Sequence, residues 1–187
     1  EAFPELARQL FGNVRLDFAN EPLERRRLRS VQFGGCRVSE LEAGSHSVFG
    51  ECVARASHDP DSLKLLIQTK GASLIRQSGR TVVFGENMPV IYDPTRPYTL
   101  VNRTPVRLVM LQLPRDPFPE RVLSALAAPI APRHDLAGLW HVLLATLRSS
   151  LIEAARLDPL GRQKLGAALV HMVRPLLEDS VSGEQVR

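Results

Sequence analysis

The stretch "LKLLIQTKGASLIRQSGRTVVFGENMPVIYDPTRPYTLV", Leu63 to Val101, decides the fold. Within it, short apolar and β-branched runs, Leu63–Thr69, Ser73–Gln77, Thr81–Phe84, Pro89–Tyr92 and Tyr98–Val101, alternate with punctuation: Lys70-Gly71, Gln77-Ser78-Gly79-Arg80, Gly85-Glu86-Asn87 and Asp93–Pro97. Glycine and asparagine tolerate positive φ and proline sets φ near −65°, so each junction reads as a turn. The same rhythm extends outward through Phe33–Leu41 and Ser47–Ala56 on one side, with turns at Ala43-Gly44-Ser45 and His58-Asp59-Pro60-Asp61, and through Val106–Leu113 on the other, after Asn102-Arg103-Thr104-Pro105. Eight short strands thus fill residues 32–114. No helical segment lies between them to carry a parallel crossover, so the pairing is antiparallel and the architecture a sandwich or barrel. A jelly roll satisfies the count.

The corner "IYDPTRPYTL", residues 91–100, has the composition of a chemical site but reads as structure. Asp93 can accept hydrogen bonds from N–H groups two residues on, and Pro94 and Pro97 are excluded from a central ladder. Arg96 can pair with Asp93 across the turn. Catalysis would need a partner base or nucleophile, which the stretch lacks.

Before the strands, Pro4 in a first-turn position and the four-residue spacing of Leu6, Leu10 and Val14 predict a short amphipathic helix within Phe3–Phe18, followed by a charged, irregular connection over residues 19–31. After them the chain reads as helical. Glu120–Ala128 forms a short helix closed by Pro129 and Pro132, and Asp135 caps a longer one whose stripe is Trp140, Leu143, Leu144, Leu147 and Leu151. Asp158-Pro159 starts a further helix with the stripe Leu165, Leu169, Met172 and Leu176, which Pro175 should kink or end. Asp179–Arg187 reads as a polar tail. The chain therefore divides into an arm (1–31), a barrel (32–114), a helical region (115–178) and a tail or linker (179–187).

At 187 residues, 44% hydrophobic and 24% charged, the composition suits one soluble domain. No apolar run approaches the roughly 20 residues that cross a bilayer, no signal-like succession opens the chain, and a cytoplasmic setting with no membrane partner is expected. Cys36 and Cys52 read as buried structural thiols. The net charge of +4 suits weak attraction to a polyanion, but the basic run Glu24–Arg29 has no interleaved aromatic or amide residues and reads as a solvated connection. His46 and His58 form no H-x-H pair, both fall at turns, and no nucleophile elbow, H-E-x-x-H or P-loop is present. Neither a metal, a cofactor nor a catalytic residue is expected. The segment "LGAALVHMV", Leu165–Val173, is too apolar to lie against DNA.

Taken together, "FGGCRVSEL", the central stretch with its "RQSGR" and "YDPTRPY" motifs, and "RLVMLQLPRD" resemble the N-terminal regulatory domain of AraC/XylS-type transcription regulators, in the subgroup with an AraC-binding-like, cupin-related domain. One departure is the turn Gly85-Glu86-Asn87-Met88-Pro89, where that family usually has "pGD" before "YD". The resemblance implies a mainly β, cupin-like jelly-roll barrel followed by an antiparallel helical pair. It also implies a small-molecule effector in the barrel, a homodimer through the helices, and DNA as a partner through a C-terminal helix-turn-helix domain outside this chain.

A pocket inside such a barrel is lined by one alternating strand face. Leu66 and Gln68, Val90 and Tyr92, and Leu108, Met110 and Gln112 form one such set, offering a few hydrogen-bonding groups among apolar walls. The opposite register exchanges every side chain to the other face. For the stripe Trp140, Leu143, Leu144, Leu147 and Leu151, the two readings are a dimer interface or packing on the chain's own barrel. The rival functions are a cupin-type enzyme, such as an isomerase or dioxygenase, and a ligand-free dimerisation module.

Overall fold

A computed structural model of the chain describes residues 3–12, 14–18, 26–50, 62–132 and 137–184. The strands are β1 (Val14–Phe18), β2 (Arg27–Phe33), β3 (Cys36–Ala43), β4 (His46–Gly50), β5 (Ser62–Lys70), β6 (Ser73–Gln77), β7 (Arg80–Phe84), β8 (Pro89–Tyr92), β9 (Tyr98–Asn102) and β10 (Val106–Pro114). The helices are α1 (Phe3–Phe11), α2 (Glu120–Ala125), α3 (Ala137–Glu153) and α4 (Pro159–Glu184), with a 3₁₀ turn at Ala154–Arg156 between the last two. The strands make two five-stranded sheets, ordered β1-β4-β9-β6-β7 and β2-β3-β10-β5-β8. Every ladder is antiparallel. The molecule is a mainly β, cupin-like barrel followed by helices, as the turn pattern demands.

The two sheets are buried differently, and the sequence of each strand follows. In β5, residues Ser62 to Gln68 are all buried. Leu63, Leu65 and Ile67 join Val109, Leu111 and Leu113 of β10 in a cluster beneath α2, α3 and α4, whereas Leu66 joins Leu108, Met110, Val90 and Tyr92 in a second cluster inside the barrel. A sheet covered on both faces needs apolar residues at nearly every position, which is why "LKLLI" shows no alternation. The other sheet has one solvated face and alternates accordingly: β9 buries Tyr98, Leu100 and Asn102, with Thr99 and Val101 between them only partly covered.

Several sequence expectations need correction. The amphipathic helix stops at Phe11, because Gly12 at φ +87° returns its N–H to the Arg8 carbonyl as a left-handed helix end, and Val14–Phe18 is strand β1, paired with β4. Leu6, Leu10 and Val14 fit a helical spacing, but Val14, Leu16 and Phe18 fit a strand equally well. The basic segment is not an irregular connection over its described part: Arg27–Phe33 is β2, joined to β3 by a tight turn at Gly34-Gly35, with Gly34 at φ +55°. Arg29 reaches over to donate to the Leu151 carbonyl, so its charge serves a helix end. The strand expected over Phe33–Leu41 is accordingly divided at that turn.

Further corrections concern the helices. α4 neither ends at Pro175 nor fades at Asp179; it runs to Glu184, and its far end buries Leu176, Leu177 and Val181. Asp158 caps its start, accepting from the Gly161 N–H at 2.6 Å. The stripe Trp140, Leu143, Leu144, Leu147 and Leu151 is buried in this chain's own core, against the outer face of the β2-β3-β10-β5-β8 sheet, in line with the second of its two readings. The exposed apolar residues of α3 are instead Leu139, Val142 and Ile152. α4 presses closely on the β2–β3 turn: a Cβ at Gly166 would stand 1.9 Å from the Phe33 carbonyl oxygen. The short helix α2 ends at Ala125, and Ile130 beyond it bridges back to Ile91. The expected cap Asp135, and Cys52, His58 and His134, lie outside the described residues.

Candidate functional site

Between the sheets lies a cavity of about 40 Å³. One wall is α1, through Phe3, Ala7 and Phe11; the others come from Val14, Leu16, Leu41, Val48, Leu100, Leu108 and Met110, with Lys64, Tyr92, Tyr98, His46 and Asn102 as the polar members. β5, β8 and β10 lie side by side, so their even-numbered residues look inward together: Lys64 stands opposite Tyr92, and Leu66 opposite both Val90 and Met110.

The polar members fall into two groups. In the first, the Lys64 ammonium is buried, donates to the Phe11 carbonyl at 2.9 Å and lies 5.3 Å from the Phe11 ring centroid. It therefore meets one of the last carbonyls of α1, where the helix dipole is negative. Tyr92 approaches Tyr98 from the opposite sheet, with ring centroids 4.8 Å apart. Burial holds both phenols protonated: it pushes Tyr98 up to about 12, and raises Tyr92 well above its usual range with help from the neighbouring Tyr98.

The second group is a chain of hydrogen bonds. His46 Nδ1 lies 2.7 Å from the Gly44 carbonyl and Nε2 lies 2.9 Å from Asn102 Nδ2. A carbonyl can only accept, so Nδ1 carries a proton and Nε2 accepts from the Asn102 amide. Asn102 Oδ1 accepts from the Ser73 hydroxyl at 2.6 Å, and the same hydroxyl lies 3.2 Å from Gln68 Oε1. Phe18 stacks on His46 at 4.9 Å. The imidazole is thus held by its own network. Among the described residues, no group of three or more His, Cys, Asp or Glu is placed to hold a metal ion.

The seven residues expected at a pocket divide by role. Tyr92, Leu108 and Met110 line the cavity, and Leu66 and Val90 belong to the apolar cluster around it. The two amides face the interior but spend a donor on backbone: Gln68 on the Lys70 carbonyl at 3.1 Å, and Gln112 on the Leu10 carbonyl of α1 at 3.1 Å. Sequence reasoning passed over Lys64, Tyr98, His46, Asn102 and the α1 phenylalanines. Lys64 shares the period-two face of Leu66 and Gln68, and a lysine inside "LKLLI" is the signal that could have singled it out. His46 starts β4 rather than lying in a turn.

The corner at residues 93–97 is outside this site. Asp93 is buried and accepts from the Thr95 N–H at 3.0 Å, the Thr95 hydroxyl at 2.6 Å and Arg115 at 2.7 Å, while Arg96 stands 3.7 Å away. Gln77 donates to the Asp93 carbonyl at 2.7 Å. Cys36, also remote, donates to the Gly166 carbonyl at 3.5 Å, and burial pushes its thiol up to about 12, which removes it from nucleophilic chemistry.

Comparison with known proteins places this geometry. The AraC-like transcriptional activator CuxR has a similar fold, with a TM-score of 0.73 at 12% identity, covering 95% of this chain and 65% of that one. The Cupin_2 domain of an XRE family transcriptional regulator from Enterobacter cloacae superposes over 47% of this chain and 95% of that one, at 10% identity and a TM-score of 0.39. A protein of Bacillus sp. (strain OxB-1), described as an uncharacterized protein in the nit 5′ region, is 25% identical over 162 residues, 84% of this chain and 61% of that protein. The chain spans less than two thirds of the length of CuxR and of the Bacillus protein. No described helix is long and apolar enough to cross a membrane. The profile of the AraC-binding-like domain matches residues 3–178, nearly the whole length, and the chain belongs to that family.

Proposed function

We propose that the chain is the effector-sensing part of an AraC-type transcription regulator in the cytoplasm, binding a small molecule inside its barrel and performing no chemistry on it. The observation that carries this reading is the cavity between the sheets, walled by apolar side chains with a few convergent polar groups, in a chain matched to the AraC-binding-like family over residues 3–178. A catalyst would need a free base, nucleophile or metal at that place. The described imidazole is tied at both nitrogens, and both phenols hold their protons. In this proposal the DNA-binding part lies beyond the matched region, the active form is a homodimer, and ligand shifts an equilibrium between arrangements of the dimer by binding one of them more tightly.

The test has two linked readouts. A metabolite panel is screened for compounds that raise the thermal midpoint of this chain, and each is then added to the full-length gene product while promoter occupancy is footprinted. The expected result is at least one compound active in both assays, with both responses lost in Val48→Phe, which fills the cavity. Promoter occupancy identical with and without every compound that binds the chain overturns the sensing reading.

A further inference from the structure

We infer that the outward face of the β1-β4-β9-β6-β7 sheet carries a second binding site, for a small phosphate monoester whose phosphate sits between Arg15 and Arg76 and whose organic part lies against Pro97 and Tyr98. The inference is independent of the sensing reading, because this face looks away from the interior cavity.

Strand register places the site. Arg15 stands opposite Phe49, Phe49 opposite Thr99, and Thr99 opposite Arg76, so the four side chains form one row across β1, β4, β9 and β6. Thr99 lies between the buried Tyr98 and Leu100 in β9, and the row therefore faces outward. It borders a groove of about 360 Å³, which Pro97 and Tyr98 also line. That volume lies within the roughly 300–1,000 Å³ of small-molecule sites. Among the described residues, only Tyr98 lines both this groove and the interior cavity.

Charge is the second argument. Arg15 and Arg76 are exposed, and neither joins an ion pair among the described residues, whereas Arg107, Arg156 and Arg174 are each answered by a glutamate. No Asp or Glu lines the groove among the described residues. The Arg15 guanidinium lies over the Phe49 ring, 4.1 Å from its centroid. Attraction to the ring holds the group in place and leaves N–H donors of its fork for an anion.

Geometry then selects phosphate. Neighbouring strands are about 4.8 Å apart, so Thr99 is one such step from Phe49, which carries the Arg15 guanidinium, and one step from Arg76. An anion seated over Thr99 is within reach of both arginines and of the Thr99 hydroxyl. A carboxylate presents two oxygens, which a single guanidinium fork fills. A phosphate monoester carries a charge of about −1.5 to −2 and three acceptor oxygens, enough for two guanidinium groups and a hydroxyl. A nucleic-acid strand would call for a longer run of cations than this pair. The Pro97 and Tyr98 rings give the ester's organic part an apolar wall.

The experiment titrates this chain calorimetrically, in phosphate-free buffer at low salt, with phenyl phosphate, inorganic phosphate and benzoate. Phenyl phosphate is expected to bind saturably, ten times or more tightly than benzoate and three times or more tightly than inorganic phosphate. Arg15→Gln and Arg76→Gln should each weaken it tenfold or more without moving the thermal midpoint. Arg148→Gln, which removes an exposed charge from α3, should leave it unchanged. If one of the two groove variants loses its fold by circular dichroism, the other decides. No saturable binding, benzoate bound as tightly as phenyl phosphate, or an equal loss in Arg148→Gln overturns the site. Inorganic phosphate bound as tightly as the ester overturns the ester class. A random-sequence DNA duplex that binds through Arg15 and Arg76 when phenyl phosphate does not also overturns it, and makes the row a polyanion surface. The sensing proposal is untouched by these outcomes and is judged by the promoter footprint.

Discussion

Asp93 shows how one residue can resemble a catalytic group and act as a clamp. Its carboxylate is buried and takes hydrogen bonds from Thr95 twice and from Arg115, so the turn between β8 and β9 is tied to the end of β10. Arg115 is mostly covered, while Arg96 is 50% exposed at 3.7 Å. The magnitudes should separate accordingly. Asp93→Ala strands the Arg115 guanidinium and the two Thr95 donors in a largely covered corner and is expected to cost about 3 kcal/mol. Arg96→Ala should cost less than about 1 kcal/mol, since water already screens that pair. Urea denaturation of both variants checks the ordering, and equal midpoint shifts would remove Arg115 as the principal partner.

Among the elements, α4 is where propensity and packing disagree most plainly. A proline inside a helix lacks the N–H of the i→i−4 ladder and crowds the preceding turn, at a cost of about 3 kcal/mol. The helix nonetheless continues, because beyond Pro175 it buries Leu176, Leu177 and Val181 against the core. Pro175 itself faces solvent. Pro175→Ala restores the donor without touching the core and is expected to stabilise the chain by about 1–3 kcal/mol, read as a higher thermal midpoint. A lower midpoint would mean that the helix needs the proline's local geometry to follow the sheet. β5 shows the reverse case, where packing explains composition: a central strand with a barrel interior on one side and helices on the other has no solvated face, so its sequence loses the alternation that β9 keeps.

For the whole molecule, the helices resolve one of the two alternatives left open by the apolar stripe. Trp140, Leu143, Leu144, Leu147 and Leu151 are taken up by the chain's own core, so a dimer through α3 must use its outer side. Leu139, Val142 and Ile152, between 54% and 67% exposed, lie on that side. If the proposed homodimer uses this face, Val142→Asp halves the molar mass in solution with little change in thermal midpoint. Leu147→Asp should instead unfold the monomer, because it places an unpaired charge in a dry core. A Val142→Asp, Ile152→Asp variant that keeps the wild-type mass would exclude α3 from the interface.

Glycine and asparagine turns, proline positions and the lack of a crossover helix are local facts, set by φ preferences within a few residues, and from them the sequence alone determined an antiparallel, multi-stranded barrel with helices after it. It could not assign Val14–Phe18 or Arg27–Phe33 to the sheets, since a short apolar spacing fits helix and strand alike and a strand edged with arginines hides its period. Nor could it choose the inward face of β5, where both faces are apolar. That choice was made by α2, α3 and α4, which cover the odd-numbered side and leave Lys64 and Leu66 facing inward. The cavity likewise gathers α1, β4, β5, β9 and β10 from distant parts of the chain. Burial is a property of what lies on the other side of a residue, and only the tertiary structure supplies that.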